Sequence, residues 1–511
     1  MKRVITKPLL IVLLMLPAFS CKKFLQTQSQ NNDFLTTAQD LDELLIGNGY
    51  TPSFYGNGRT HMLFLMDDDV EENPVPVLAP ENVNQISSFS GYYNWQPNPY
   101  VYSDGTQEDN QVSIYNKVYK SIATVNTVIF NVPLMRKNGE PEDILTRVDG
   151  EAHFLRALYY FLLVNTYGKP YNKSSASTDY GVPLKTDPAI EAGFFSRATV
   201  QQVYDQIIND LLEAEKDLEG YNKRSVIRAS QAAVQALLSR IYLYTEEYEK
   251  AAACADKVLA QNYQISNLNN FDPANNFLRL SSPETIFNMG EDAINYLYPV
   301  FGPCLFTHDL STAVDSYRVS DDLLQSFETD DLRPSVFFDL GERPGQLYAK
   351  VRGFDLSGNV SEIFLIRAPE IYLNKAEALA VLGRNDEAVN ILQELRRKRF
   401  ASTPSSPPAG GQALVDFIRE ERRRELCFEG HRWFDLRRYA VNSKYPFTKS
   451  IRHNSYAYNS ALASYLQGYY ELKPYPQDAA AYVVPLHPFE IQFNRETLTN
   501  EPRPSRPMTK L

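Results

Sequence analysis

Two stretches of twenty residues constrain the fold more than anything else in the chain. RIYLYTEEYEKAAACADKVL (240–259) and AEALAVLGRNDEAVNILQEL (376–395) both read as a helix, a tight polar turn and a second helix with Ala at the crossing. Ala251 and Ala388 fall where two helices must approach closely, because a larger side chain there would push them apart. Apolar residues recur at helical spacing elsewhere. Tyr115, Val118, Tyr119, Ile122, Val125 and Ile129 make one stripe, and Phe154, Leu155, Leu158, Phe161 and Leu162 another. Thr199 with Gln202 forms a capping box ahead of Val203, Tyr204, Ile207, Ile208 and Leu211. Ser230 is placed to cap a helix carrying Val234, Leu237, Leu238, Ile241 and Tyr242. Further helices are expected over 371–382, 387–399 and 413 to about 438.

Paired helices with small residues at the crossing follow the logic of tetratricopeptide repeats, here degenerate and widely separated. The expected fold class is therefore mainly α: tetratricopeptide-like helix pairs forming a scaffold over about 112–260 and 366–440. Residues 48–110, 169–198, 262–365 and 443–511 are rich in Tyr, Asn, Pro, Gly and Ser and only weakly periodic. Long irregular insertions of this kind usually carry function, whereas STPSSPPAGG (402–411) reads as a flexible connection. A length of 511 residues would allow three domains, but one helical platform with a loop-rich ligand face, residues 21–511, fits the pattern better. The 43% hydrophobic content is that of a globular protein, and no apolar run is long enough for a polytopic membrane protein. A net charge of -11 without a basic stripe argues against a nucleic-acid partner.

The first twenty residues read as an address. Lys2, Arg3 and Lys7 precede an apolar run from Leu9 to Leu16, then Pro17-Ala18-Phe19-Ser20-Cys21. This describes a secretory signal, residues 1–20. A Cys directly after a small residue points to a lipoprotein box in which Cys21 is acylated and anchors the chain to a membrane. The alternative is a cleaved signal with an incidental Cys. Residues 22–36 are polar enough for a leash. Cys254, Cys304 and Cys427 show no zinc-ligand spacing. Cys254 and Cys427 are expected as buried thiols, and one disulfide remains open in an exported chain.

No common catalytic template is present: six His, no HExxH, no nucleophile elbow and no phosphate-cradling Gly loop. The run Glu420 to Glu425 with Glu429, His431, Arg432, Asp435 and Arg437 reads as a structural ion-pair network around a buried Trp433, with Glu420–Arg424 and Asp435–Arg438 as helical pairs. Asp67, Asp68, Asp69, Glu71 and Glu72 form the densest acidic cluster. A solvated or capping role is the default there. Calcium is a lesser alternative, since the EF-hand spacing is absent, and direct ligand hydrogen bonding is a third. No cofactor is otherwise expected.

The candidate binding segment is Gly91 to Tyr102, where one of only two Trp sits with four Tyr in a Pro/Asn loop. Sugar rings dock their C–H faces on flat aromatic surfaces while amides meet their hydroxyls. Trp95 is accordingly expected to be a stacking platform, with Tyr93, Asn94 and Asn98 as neighbours. Tyr296 and Tyr298 are a second candidate pair, and Tyr456 and Tyr458 a third.

Taken together, several segments resemble the SusD/RagB family of Bacteroidetes outer-membrane nutrient-binding lipoproteins. Cys21-Lys22-Lys23-Phe24-Leu25 resembles its start, VYKSIATVN (118–126) its first long helix, and GEAHFLRALYYFLLVNTYGKPY (150–171) its most recognisable helix. GVPL (181–184) and SRATVQQVYDQIINDLLEAEKDL (196–218) follow in the family's order. ERRRELCFEGHRWFDLRR (421–438) is the most specific match, and YVVPLHPFEIQFN (482–494) resembles the closing motif. The resemblance implies a glycan-binding protein, not an enzyme, that sits as a lid on a SusC-like TonB-dependent transporter in the outer membrane. Some family members take peptides instead. Lys22 and Lys23 stand where acidic residues often mark export to the cell surface. The family's ligand contacts lie in variable loops, so the resemblance assigns no ligand residue. A lipid-anchored hydrolase and a transporter lid without affinity of its own are the remaining alternatives.

Overall fold

The computed structural model describes residues 35–511 except 51–61, 74–88, 103–104, 111–112, 190–192, 222–224, 262, 274, 290–316, 340–346, 349, 351–359, 361–362, 460–463 and 496. Cys21, Cys304, Tyr296 and Tyr298 lie outside the described residues.

Ten helices of seven residues or more are described. They are α1 (Ala38–Leu44), α2 (Ile114–Lys137), α3 (Glu142–Tyr167), α4 (Val200–Asp217), α5 (Gln231–Tyr244), α6 (Tyr248–Leu259), α7 (Ala368–Leu382), α8 (Asn385–Arg396), α9 (Gly411–Leu426) and α10 (Arg432–Ala440). Neighbours in sequence pack on one another from α2 to α6, and α7 then docks on both α5 and α6. The two repeat-like stretches are therefore stacked directly, although more than a hundred residues separate them in sequence. Ala251 and Ala388 are fully buried at these crossings, and Ser239 of α5 donates its hydroxyl to the Ala251 carbonyl at 3.0 Å. The Thr199–Gln202 capping box and the Ser230 cap both form. The fold is mainly α, with tetratricopeptide-like pairs as the scaffold, as the periodicity predicts.

One expected helix is two. The stretch 413–438 breaks between α9 and α10, where Phe428 and Gly430 take left-handed φ values of 57° and 73°. A Cβ at Gly430 would meet the Ile363 backbone at 3.4 Å, so glycine serves both the turn and the close approach. Lys350 Nζ donates to the Glu425 and Cys427 carbonyls at 2.9 and 2.8 Å, satisfying groups the broken helix leaves free. Around this break lies the predicted ion-pair network. Glu425 accepts from Arg333, Arg367 and Arg399, all fully or almost fully buried. Trp433 is buried and stacks on Tyr482 at 5.5 Å. Arg438 pairs with Asp435 as expected, but Arg424 pairs with Glu421 in place of Glu420.

At the amino-terminal end, α1 is latched to α3 by charge. Arg147 forks onto both Asp42 oxygens at 3.0 and 2.7 Å, and Arg228 bridges Asp42 to Glu151 at 2.5 Å each. The insertions contribute short antiparallel strands. β1 (Val70–Glu72) pairs with β3 (Tyr317–Val319), and β2 (Thr285–Asn288) pairs with β4 (Leu365–Arg367). A carboxy-terminal hairpin joins β5 (Ile451–Tyr458) to β6 (Ser464–Leu472). Cys254 and Cys427 are buried free thiols. Among the described residues no helix is long and apolar enough to cross a membrane.

Candidate functional site

The aromatic loop expected to bind ligand turns inward. Its ends are pinched together, because a Cβ at Gly91 would meet the Pro99 carbonyl oxygen at 2.5 Å. Trp95 has a left-handed φ of 49°, and its carbonyl accepts from Arg503 at 3.2 Å and Arg506 at 3.4 Å. Its indole Nε1 donates to the Met66 carbonyl at 2.9 Å. Trp95 is only 2% exposed and Tyr93 1%, and both rings stack on His453, at 4.2 and 4.0 Å. Asn94 is buried as well. These three residues are corrected from a binding platform to core. Trp95 and Tyr93 each spend one ring face on the imidazole, and burial closes the other to a sugar. Asn98 is exposed, but its Oδ1 accepts from the Tyr100 amide at 3.2 Å and so serves the turn.

The His453 ring nitrogens face two backbone carbonyls, Nδ1 that of Tyr93 at 2.6 Å and Nε2 that of Asp67 at 2.9 Å. Burial pushes the imidazole down to about 4, against the pull of both carbonyls.

The acidic cluster is also interior, which overturns the solvated reading. Asp67, Asp68 and Asp69 are all buried and face one another. Burial alone would raise the Asp68 carboxyl, but Arg423, Arg432 and Lys449 hold it well below the usual range. Asp67 moves the other way, raised by burial and then by Asp69 and Asp68. Asp69 Oδ1 takes Arg423 Nε at 2.6 Å. Side-chain cations thus neutralise Asp68 and Asp69, while one carboxylate oxygen from each of the three residues lies within 4.8 Å of the others, a grouping that could also hold a metal ion.

What the structure brings together instead lies one layer above the aromatic loop. Tyr100 donates to the Pro485 carbonyl at 2.6 Å and meets the His487 ring edge-on at 4.7 Å. His487 Nδ1 accepts from the Phe489 amide at 3.1 Å, capping the short helix Pro488–Phe493, so the proton resides on Nε2, which donates to the Glu108 carbonyl at 3.0 Å. Burial holds this imidazole below its ordinary value, consistent with Nδ1 remaining an acceptor. Above His487 opens a cleft of about 600 Å3. One wall is Phe489 and Gln492, the other Asn116 and Lys120 one turn apart on α2, and residues 107–110 form the rim.

Phe489 is 53% exposed and Phe493 65%, with parallel rings 6.1 Å apart. Large aromatics left on a polar rim are the surface on which a sugar ring stacks. Two amide oxygens in the cleft wall, Asn110 Oδ1 and Asn116 Oδ1, are buried without a hydrogen-bond partner among the described residues. Asn110 Nδ2 donates to Glu490 at 2.6 Å, which fixes the orientation of that amide. Burial raises the Glu490 carboxyl. The sequence carried a signal for this site in HPFEIQF, where two Phe four apart share a helix face opened by Pro.

The comparisons with known proteins agree with this architecture. Residues 23–243 match a family described as starch-binding associating with outer membrane, and residues 351–503 match the SusD family. The chain belongs to the SusD/RagB family. A SusD-like protein of Formosa agariphila is 26% identical over 409 residues, covering 66% of this chain and 76% of that protein. The starch-binding protein SusD of Bacteroides thetaiotaomicron is 27% identical over 193 residues, 36% of this chain and 32% of that one. Among solved structures, a SusD superfamily protein from Bacteroides thetaiotaomicron superimposes with a TM-score of 0.68 at 23% identity, covering 92% of this chain and 100% of that chain. A putative sugar binding protein from Bacteroides vulgatus gives 0.69 at 19% identity, covering 92% and 99%. At these identities the structural likeness establishes the SusD fold, and the ligand must be argued from the cleft.

Proposed function

We propose that this SusD-family chain binds an oligosaccharide or polysaccharide in the cleft between α2 and the Pro488–Phe493 helix. In this reading it is a lipoprotein anchored through Cys21 at the outer membrane, and it passes its ligand to a SusC-like TonB-dependent transporter without chemical turnover. The observation that carries the reading is the exposed Phe489 ring on the wall of an open cleft whose lining also holds Gln107, Asn116, Lys120 and Gln492. A ring face and hydroxyl partners at one site are what a pyranose needs, and binding at the level of one or two stacks is modest in affinity. The starch-binding relative and the putative sugar binding protein of the same fold support a carbohydrate ligand.

The test is calorimetric titration of residues 22–511 against soluble polysaccharides and peptide pools, with product analysis of every mixture and copurification of the transporter from membranes. Saturable glycan binding without new products supports the proposal. Peptide binding alone would change the ligand class, and product formation would replace a binding role with a hydrolase. Copurification without binding to any free ligand would leave a lid with no affinity of its own.

A further inference from the structure

A separate pocket of about 270 Å3 lies in the insertion that follows α6 and shares no lining residue with the cleft. Its walls are held from beneath. Ser266 donates its amide to Glu284 at 2.9 Å and accepts Arg399 on its carbonyl at 2.6 Å, so the interior ion pairs fix that side. Asn267 Oδ1 accepts from the Asn269 amide at 3.1 Å and caps the turn that carries the exposed Asn270. Phe277 is buried, and the half-buried Phe271 meets it edge-on at 6.1 Å. Arg279 stands before β2, its carbonyl accepting from the Thr285 hydroxyl at 3.0 Å.

Arg279 is the one cation in this lining, and it differs from the arginines packed nearby. Arg333, Arg367 and Arg399 each meet a carboxylate in the interior. Arg279 meets none among the described residues. Its Nη1 donates to the Asn276 carbonyl at 3.0 Å, and the rest of the fork, half-buried at the pocket wall, has no acceptor there. The Ser266 hydroxyl and the Asn270 amide are likewise uncommitted among the described residues. The acid of the lining, Asp272, accepts from Asn275 Nδ2 at 3.0 Å, and no ion pair joins it to Arg279.

A planar guanidinium takes a carboxylate through two parallel N–H bonds, each stronger than a bond to a neutral acceptor. Hydroxyl and amide groups beside it suit a polyhydroxylated ring, and Phe271 adds an apolar contact. The volume falls below the range of about 300–1,000 Å3 that drug-sized ligands need, so the ligand is a single unit. We infer that this pocket is a second ligand site, taking one sugar-acid unit with its carboxylate on Arg279 and its hydroxyls on Ser266 and Asn270. The inference does not depend on the cleft, which reads a ring face at Phe489.

The test titrates the mature chain, residues 22–511, with methyl glucuronide, with methyl glucoside and with acetate, followed by NMR and calorimetry. Methyl glucuronide should bind saturably, and both the glucoside and acetate about tenfold or more weakly, since each lacks one half of the recognition. Arg279→Gln should bring the glucuronide down to the level of the glucoside, with an unchanged thermal midpoint showing that the variant folds. Asn270→Ala, at an exposed position, should weaken the glucuronide without removing it, and Phe489→Ala should leave it as in the parent. Absence of saturable glucuronide binding overturns the inference, as does equal binding of the two glycosides. Acetate as tight as the glucuronide overturns the sugar-acid assignment. Glucuronide binding that survives Arg279→Gln or is lost in Phe489→Ala places the ligand elsewhere and overturns it too. None of these failures bears on polysaccharide binding in the cleft, which is read separately.

Discussion

Arg432 forks onto Asp68, Nε to Oδ1 at 2.6 Å and Nη2 to Oδ2 at 2.8 Å, tying α10 to the 67–69 turn across 364 residues of chain. Asp68→Asn would leave Arg432 and Arg423 buried and undercompensated, a loss of about 3–5 kcal/mol of stability. The Asp68 carboxyl is depressed in the fold, so its contribution is full above the unfolded value and disappears as pH falls through the folded one. Urea unfolding of both proteins along an acid series checks this. The variant should lack part of the acid-side slope, and an unchanged slope would remove Asp68 from the account.

Trp95→Ala should destabilise the chain by about 3–5 kcal/mol, because a fully packed indole stacked on His453 is replaced by a cavity. Affinity for glycan should be retained wherever the variant is folded. A thermal midpoint equal to the parent's, combined with lost binding, would restore Trp95 as the ligand platform.

Phe489→Ala is the converse experiment. Its ring is half exposed, so the stability change should stay within about 0.5 kcal/mol. Loss of one sugar stack should weaken glycan binding about tenfold, a change calorimetry resolves. Undiminished affinity would exclude the cleft wall from recognition.

Acid should act on His453 in a defined direction. Its folded value is lowered from 6.5 to about 4, so the unfolded chain takes up a proton first as pH falls and the native state follows later. Stability therefore declines from 6.5 down to 4, by up to about 3 kcal/mol from this group. His453→Gln should be less stable near neutrality yet show a shallower decline across the window. A parent stability that rises as pH falls there would mean that the two facing carbonyls hold the imidazole protonated.

The scaffold was legible because helix formation is local. The stripes from Tyr115 and Phe154, the Thr199–Gln202 box and the Ala251 and Ala388 crossings all depend on residues within a few turns, and the structure forms each of them. The helix break at 427–431 was hidden, because Leu426, Phe428 and Trp433 continue an apolar pattern through it, and the Lys350 that satisfies its carbonyls comes from a distant insertion. Loop aromatics were least legible of all. Whether Trp95 faces solvent is decided by Met66, His453, Arg503 and Arg506, up to 411 residues away, and no local pattern reports them. The acidic turn at 67–69 fails for the same reason, since its cations come from positions 423, 432 and 449. Phe489 escaped notice because a pair of Phe on a short helix ordinarily signals core.

The latch on α1 gives the molecule a mechanical grain. Any pull arriving through the residues before Thr37 enters the body at Asp42, where Arg147 and Arg228 resist in shear on two sides at once. From there the load passes to Glu151 in the long α3, while α1 also leans on α2. A pull on that end is therefore taken up by the helical scaffold, through ion pairs loaded in shear and not by the peeling of a single strand.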